Sequence, residues 1–405
     1  MIRALFVNSG ILGQKTFARF IAEEFAGGTG GICARQIVLS NELTFFDRVT
    51  RRLLCTRLWP DGLAGLYNLD LFRYRAELNA GLTARRRLAR LEAAGERFDV
   101  LHFHHQATAY ASVERMRQTP SIVSIDCTQR CVIDRARSAI EIRSYRPNAR
   151  RDGEIFRAAR LIVSPSAWAA ACVRAEYPDC TTEILVMPVP VQLGAFDPSW
   201  IEERYQRTAT AGYRPRVLFM GGDFYRKGGD LLLSAWEAAD LGRQATLDVV
   251  TAYPLDRLPA GVTVYTGVTA YSPEWRALWQ KADIFVLPTR DEAFGMVFQE
   301  AAAAGLPSVG TRINAIPELV EDGRNGLLVE PGNVEELKHA LEQLLASAEQ
   351  RRALGRSARE HAERTADPSH YRAALIAALH RVAISSGDAK GATRPGWADS
   401  APASR

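Results

Sequence analysis

The sequence predicts an α/β protein built from two doubly wound units, each a parallel sheet with helices on both faces. Short β-rich runs alternate with longer helix-prone segments along the chain, which is typical of parallel sheets with crossover helices. The runs are apolar at successive positions, as expected for strands buried on both faces. A break with several prolines at 188–215 divides the series, and 405 residues is long for a single core.

The first unit is expected to span 1–194. Its opening run, MIRALFVNSG, is too short for a signal peptide, and we interpret it as a buried strand. A glycine-containing turn at 9–13 and a helix at 16–26 follow. The predicted strands of this unit are 4–8, 37–39, 100–103, 121–125, 161–164 and 183–187.

The second unit is expected to span 195–366. Its predicted strands are 217–220, 247–251, 262–265, 284–287, 308–310 and 326–329, and its helices are 230–239, 273–281, 296–304 and 334–346. An amphipathic helix at 369–383 follows, and we expect 367–385 to lie back against the first unit. The Ser-, Gly-, Ala- and Pro-rich stretch 386–405 is predicted to be disordered.

Charge is spread unevenly between the units. Residues 1–194 carry 27 Lys and Arg against 19 Asp and Glu, and residues 195–405 carry 24 against 27. The basic excess has two interpretations: a solvated face, or attraction to an anionic membrane surface or acceptor. Nucleic acid is disfavoured, because no aromatic-basic interleaving accompanies the charge. The arginines of this excess include Arg48, Arg51, Arg52, Arg57, Arg85, Arg86, Arg87 and Arg90.

Cellular location follows from the same bulk features. No window reaches about 18 uninterrupted apolar residues, so a membrane-spanning helix is not expected. The six cysteines are scattered and have neither metal-ligand nor redox spacing, which favours reduced thiols. We therefore expect a cytoplasmic protein, with peripheral contact at the inner face of the cytoplasmic membrane as the alternative that the basic first unit leaves open.

The densest group of candidate functional residues is PTRDEAFGMVFQE, at 288–300. It follows a predicted apolar strand and opens an Ala-rich helix. Amides at the glycine turn and helix start favour an anion, and a carboxylate further along can accept hydroxyl hydrogen bonds. Glu292 and Glu300 flank the turn glycine, Gly295.

A second glycine-rich loop, MGGDFYRKGG, follows the first strand of the same unit. Adjacent Arg226 and Lys227 would place two cations and free amides against a pyrophosphate. The loop is neither a Walker A sequence nor G-x-G-x-x-G, which also argues against a nicotinamide oxidoreductase.

These motifs together resemble the family 4 glycosyltransferases. The stretch PTRDEAFGMVFQEAAAAGLPSVGTRINAIPELVEDGRNGLLVEPGN is similar to the family's C-terminal signature, with seven residues between its two glutamates. The similarity covers roughly 216–346 well and the first unit more loosely. It implies a GT-B fold, in which two Rossmann-like domains face a cleft. It further implies retaining transfer of a hexosyl-type sugar from a nucleotide diphosphate sugar to an acceptor hydroxyl, with no cofactor and no metal. The absence of any Asp-x-Asp pair agrees with the last point.

The resemblance also implies roles at the donor site. Glu300 would bind the ribose hydroxyls, Glu292 would face the transferred sugar, and Lys227 would bind the diphosphate. Gly222 stands where the family commonly has an arginine, and Arg226 is the candidate replacement. Phe294, Gly295, Met296 and Val297 would present backbone to the sugar and phosphates, and Gly13 of the N-terminal turn would approach the diphosphate.

Acceptor-side candidates lie at two strand ends of the first unit. DVLHFHHQ resembles the family's D-V-x-H-x-H stretch, which makes His104 and His105 candidates for substrate contact. Asp126 stands where many relatives carry a histidine facing the reacting centre. A carboxylate accepts hydrogen bonds but is a different acid-base group. The catalytic candidates are therefore Glu292, Asp126 and Lys227.

Three other functions remain open at this point: a nucleotide-sugar epimerase, a phosphorylase, and a non-catalytic relative that binds nucleotide sugars. The glutamate pair favours transfer over the first two, and retention of Lys227 with both glutamates argues against the third. The expected partners are a nucleotide sugar and a glycan or lipid-linked acceptor. The sequence leaves the base, sugar, acceptor and linkage undetermined.

Overall fold

The computed structural model describes residues 1–10, 14–41, 43–58, 68–129, 133, 138–208 and 210–384. In this part of the chain two six-stranded parallel sheets organise the fold. The first runs in the order β2-β1-β3-β4-β5-β6 and contains β1 (Ile2–Asn8), β2 (Ile32–Val38), β3 (Val100–His104), β4 (Ser121–Ser124), β5 (Leu161–Ser164) and β6 (Glu183–Val186). The second runs in the order β12-β11-β10-β7-β8-β9 and contains β7 (Arg216–Met220), β8 (Thr246–Val250), β9 (Val262–Tyr265), β10 (Ile284–Leu287), β11 (Ser308–Thr311) and β12 (Gly326–Val329).

Helices cover both faces of each sheet. Those of the first unit are α1 (Gln14–Glu24), α2 (Phe45–Leu54), α3 (Phe72–Ala93), α4 (Val113–Gln118), α5 (Ala139–Ser144), α6 (Arg146–Ala158) and α7 (Ala167–Glu176). The remaining helices are α8 (Trp200–Thr208), α9 (Gly229–Ala238), α10 (Pro273–Lys281), α11 (Met296–Ala303), α12 (Ile316–Leu319), α13 (Val334–Ala346), α14 (Ala348–Thr365) and α15 (Pro368–Ile384). None of the described helices combines the length and apolar character that a bilayer-crossing segment requires.

The predicted fold class is confirmed, and a strand lies at each of the predicted positions. β2 differs most, because it begins at Ile32 rather than at residue 37. It is an edge strand in which only Ile32 and Ile37 are buried, and its polar residues Arg35 and Gln36 interrupt the continuous apolar run on which the prediction depended.

The proline-rich break at 188–215 is partly helical. It contains α8, which buries Trp200 and Arg204. The Arg204 guanidinium donates to the carbonyls of Ala304 at 2.6 Å and Trp279 at 2.9 Å, fixing α8 to the second unit. The prolines therefore flank a docked helix rather than form one extended linker.

The last described helix returns to the first sheet. α15 buries Tyr371, Leu375 and Leu379 in the core that also holds Ala4 and Phe6 of β1. The chain therefore crosses from the first unit to the second and back again.

Candidate active site

The carboxyl ends of β7 and β10 form the candidate ligand crevice of the second unit. These strands are hydrogen-bonded neighbours, yet the chain continues from β7 to β8 on one side and from β10 to β11 on the other. The connections therefore diverge and leave a crevice at the sheet edge, where doubly wound sheets bind ligands. They are the loops 221–228 and 288–295, which the sequence identified as suited to phosphate.

Hydrogen bonds lock these two loops together. The Arg290 amide donates to the Arg226 carbonyl at 2.9 Å, and the Arg226 guanidinium donates to the carbonyl of Asp291 at 2.7 Å. Gly228 permits this close approach, because it has a φ of +75° and a Cβ there would lie 2.0 Å from the Pro288 carbonyl oxygen. The crevice therefore has a preformed rim.

An ion pair between Lys227 and Glu292 joins the loops at this rim. Their side chains are 14% and 16% exposed, so both charges are shielded from bulk water yet reachable. An ammonium group is a compact charge suited to phosphate oxygens. A diphosphate entering the crevice would compete with Glu292 for Lys227. The structure thus brings together two of the three predicted catalytic residues.

Arg226 lies beside Lys227, but its guanidinium has partners within the protein. It donates to Asp223 at 3.1 Å and to the Asp291 carbonyl, as described above. Gly222 is exposed, and a Cβ there would meet nothing within 4 Å. The position therefore has room for the arginine that the resemblance leads one to expect, and the substitute role of Arg226 stays a prediction.

The start of α11 provides the anion-suited amides. Gly295 precedes the helix with a φ of +91°, a left-handed conformation that favours glycine. The first turn of a helix leaves its backbone N–H groups without intrahelical partners. Phe294 is buried beneath this turn, and Met296 and Val297 are half-buried on it. Contact of these residues with a donor stays a prediction.

Glu300 lies on α11 in a poorly hydrated environment. It is half-buried, and burial raises the pKa of its carboxyl to about 8. Burial, followed by the nearby charge of Glu300, also raises the pKa of Tyr271. The Arg19 guanidinium of α1 lies 4.9 Å from the centre of the Tyr271 ring. Elements of both units therefore meet near Glu300.

Sequence reasoning missed Arg19 and Tyr271. Neither lies in a glycine-rich or acidic motif, and their proximity depends on how the two units face each other. The only local signal is conformational: Tyr271 has a φ of +66°, which is rare for a bulky residue. That signal is visible only in the structure.

His105 and Asp126 meet at the carboxyl ends of β3 and β4. The His105 Nε2 lies 3.9 Å from an Asp126 oxygen, and Asp126 is 60% exposed. His105 has a φ of +89°, and its Nδ1 accepts a hydrogen bond from the Ala107 amide at 3.1 Å. Strained backbone of this kind clusters at functional sites. Two acceptor-side candidates therefore share one location.

His104 has a different environment. Its ring stacks on Phe17 at 3.6 Å between centres. Burial, with neighbouring His102 and His105, holds the pKa of His104 well below its usual value, so the ring is neutral at physiological pH. This environment is typical of a side chain packed in a core. The contact of His104 with substrate stays a prediction.

The first sheet has its own switch point between β1 and β3. The predicted donor contact at Gly13 lies outside the described residues. The preceding Gly10 has a φ of +73°, and a Cβ there would lie 2.1 Å from Ser40 Oγ. Asn8, at the end of β1, is fully buried, and its side-chain amide has no hydrogen-bond partner among the described residues. The β1 turn therefore lies beside the Asn8 amide, whose hydrogen-bonding capacity is not used by the described residues.

The segment NAIPELV, at 314–320, makes contacts on both sides of the site. Asn314, at a φ of +49°, donates through its side chain to the carbonyl of Glu292 at 2.9 Å. The Glu318 carboxylate accepts from the amides of Ala167 at 2.8 Å and Trp168 at 2.7 Å, at the start of α7. The segment therefore holds the Glu292 loop and joins the two units.

Known proteins resemble this chain most clearly in its second unit. Residues 214–347 match the family model described as "Glycosyl transferases group 1". Sulfoquinovosyl transferase SQD2 of Arabidopsis thaliana is 29% identical over 217 residues, which cover 52% of this chain and 42% of that protein. The match thus spans less than half of that relative's length.

Solved structures show the same architecture at low sequence identity. Sucrose-phosphate synthase (tll1590) from Thermosynechococcus elongatus has a TM-score of 0.72 at 16% identity, covering 95% of this chain and 100% of that one. Anabaena Alr3699/HepE in complex with UDP-glucose has a TM-score of 0.62 at 16% identity, covering 94% and 100%. The fold is GT-B, and residues 214–347 match the group 1 glycosyltransferase family model.

Proposed function

We propose that this protein is a glycosyltransferase that moves a hexosyl-type sugar from a nucleotide diphosphate sugar to an acceptor hydroxyl. One observation carries the proposal. Lys227 and Glu292 are paired on two interlocked loops at the switch point of the second sheet, beside the amides that open α11. This combination of a cation, amide dipoles and a carboxylate suits a diphosphate with an attached sugar.

At the donor end, the proposed reaction separates charge. The bond between the anomeric carbon and the phosphate oxygen breaks, and its electron pair stays on the departing diphosphate. Lys227 and the α11 amides stabilise that growing negative charge. Glu292, released from Lys227, accepts hydrogen bonds from the sugar, and Glu300 accepts them from the ribose. The UDP-glucose bound to the structurally similar Anabaena protein supports a nucleotide sugar as donor.

At the acceptor end, the hydroxyl oxygen bonds to the anomeric carbon and gives up its proton. The adjacent His105 and Asp126 position that hydroxyl through hydrogen bonds. In the front-face route implied by the resemblance, a departing phosphate oxygen takes the proton and the anomeric configuration is retained. We propose retention and metal independence on this basis. The acceptor class we favour is a glycan or lipid-linked sugar, given the basic surplus of the first unit.

Donor binding is tested by thermal unfolding of the protein with a panel of nucleotide sugars. A donor at about 100 times its Kd stabilises the folded state by roughly 2.7 kcal/mol, so the preferred donor should stand out as a raised Tm. If no nucleotide sugar raises the Tm, the proposal fails. Donor binding without turnover on any acceptor or water would favour the non-catalytic relative instead.

Catalysis is tested with Lys227→Ala. Loss of an electrostatic donor to the leaving group costs about 3–4 kcal/mol in barrier, or roughly 10²–10³-fold in kcat. Lys281→Ala, at an exposed position on α10, is the matched control and should keep full activity. A change below about threefold in Lys227→Ala would remove this residue from the diphosphate site. Product anomer analysis by NMR tests retention, and activity in EDTA tests metal independence.

A further inference from the structure

The outer face of α2 is unusually apolar for a solvent-exposed surface. Phe45, Phe46 and Leu53 are 72%, 64% and 69% exposed, and Val49 is also exposed. At 100° per residue these four positions fall on one continuous face of the helix. Their combined exposed area is on the order of 400 Å², which approaches the largest apolar patch of a typical soluble monomer.

The orientation of α2 is fixed, so this exposure is not due to a loosely attached helix. Asp47 is buried on the opposite face and forms a capping box with Thr44. The Arg86 guanidinium of α3 donates to Asp47 at 2.9 Å and to Thr50 at 2.9 Å. The helix therefore turns a charged residue inward and its apolar residues outward, the reverse of the usual pattern for a surface helix.

Hydrogen bonds also hold the end of β2 and the residues directly after it, which precede α2. Arg87 of α3 donates to the carbonyls of Val38 at 2.7 Å and Leu39 at 3.2 Å, in the connection from β2. The same connection bonds to the end of β1, where the Ser40 amide donates to the Ser9 carbonyl at 3.1 Å. The residues that lead from β2 toward α2 thus lie at the carboxyl edge of the first sheet.

Positive charge borders the apolar face. Arg48, Arg51 and Arg52 are all exposed, and Arg48 and Arg52 adjoin the apolar residues on the helical wheel. Among the described residues no carboxylate pairs with these three arginines. Exposed guanidinium groups beside exposed aromatic and aliphatic side chains are complementary to a layer with negative headgroups above an apolar interior.

We propose that α2 docks the first unit on the surface of a bilayer rich in anionic phospholipid. Phe45, Phe46 and Leu53 enter the boundary between headgroups and acyl chains, and Arg48, Arg51 and Arg52 bind lipid phosphates. The proposal deepens the proposed function by naming where the acceptor is met: at a membrane surface beside the cleft. Lipid docking itself needs no sugar transfer, so the two can fail separately.

The test is co-sedimentation of the full chain with lipid vesicles. Phosphatidylcholine vesicles are compared with vesicles containing about one third phosphatidylglycerol, at roughly 0.1 M salt. The protein should sediment with the anionic vesicles and remain in solution with the neutral ones. If the protein does not sediment with the anionic vesicles, the proposal is overturned.

Two variants separate the apolar and basic contributions. Phe46→Ser with Leu53→Ser, and separately Arg48→Glu with Arg52→Glu, should each weaken partitioning by at least about tenfold. Leu258→Ser with Arg257→Glu changes an exposed apolar residue and an exposed arginine on the second unit, and should bind within about twofold of the unmodified protein. Circular dichroism and thermal unfolding confirm that each variant is folded.

The remaining outcomes are equally decisive. Folded variants that sediment like the unmodified protein would exclude α2 as the docking surface. A dimer in analytical ultracentrifugation that Phe46→Ser with Leu53→Ser dissociates would assign the face to a second copy of the chain. Hydrolysis of donor by water should be unchanged in these variants. Failure of the unmodified protein to bind any nucleotide sugar would count against the transfer function while leaving lipid docking intact.

Discussion

Replacement of Glu300 by glutamine should make the protein more stable and its nucleotide binding weaker. Glutamine keeps the size and hydrogen-bonding capacity of the side chain but removes the ionisable group. In the folded protein burial raises the pKa of Glu300 to about 8, whereas an unfolded chain ionises this group near its ordinary value of 4.5. The folded state therefore holds a proton that the unfolded state releases.

The sign of the pH effect follows from this proton. Stability from the raised pKa is fully present below about pH 4.5 and is lost as the pH rises through about 8. Full burial would give about 1.4 kcal/mol per pH unit, or roughly 3 kcal/mol between about pH 5.5 and 8. Because Glu300 is only half-buried, we expect about 1–3 kcal/mol. Glu300→Gln should not suffer this loss, so its advantage should grow with pH.

Urea unfolding of both proteins across this pH range measures the effect. Glu335→Gln is the control, since Glu335 is exposed on α13 and its replacement should not gain stability with rising pH. A stability difference between Glu300→Gln and the unmodified protein that stays constant with pH would refute the reasoning. Above about pH 8, where the Glu300 carboxylate is ionised, nucleotide diphosphate affinity measured by calorimetry should fall at least about tenfold in Glu300→Gln, because a charged acceptor of the ribose hydroxyls is lost. Unchanged affinity would remove Glu300 from the ribose site.

Three further substitutions probe the loops and the contact between units. Gly228→Ala should lower the free energy of unfolding by about 2–4 kcal/mol, because its Cβ meets the carbonyl of Pro288. The control Gly212→Ala, at the same φ but in open space, should cost about 1 kcal/mol. Equal losses in urea unfolding would contradict this prediction. Gly222→Arg should lower the KM for donor several-fold through an added cation beside Lys227, and an unchanged KM would show that the position does not face the diphosphate. Glu318→Ala removes a carboxylate from the start of α7 and should increase the radius of gyration in X-ray scattering; an identical profile would mean that this contact does not hold the units together.

Local pattern was sufficient to predict the strands and the site loops of the second unit. Apolar runs such as 284–287 are buried on both faces, so their composition alone marks them. Gly228 and Gly295 both adopt left-handed conformations at helix starts, which explains why glycine-rich turns were visible in the sequence. The pairing of Lys227 with Glu292 was not predicted, although both residues were. They are 65 positions apart, and only the adjacency of β7 and β10 brings them together.

Helix α2 shows most clearly what composition cannot reveal. Its apolar and basic residues are spaced as in any amphipathic surface helix, whose apolar side would be assigned to the core. The outward orientation depends on the buried contact of Asp47 with Arg86, 39 residues away. A basic excess in the first unit was evident from the count of residues, but its concentration beside an exposed aromatic pair was not.

The amino-acid sequence by itself determined the two parallel sheets, the glycine turns at their strand ends and the residue types of the donor site, because each depends on neighbours within a few positions. Tertiary structure decided which strand ends became neighbours, that Glu300 lies with Tyr271 and Arg19 where the units meet, and which side of α2 faces solvent. These features depend on strand order and on long-range ion pairs. The same residue types in another strand order would leave the cations and carboxylates on separate surfaces.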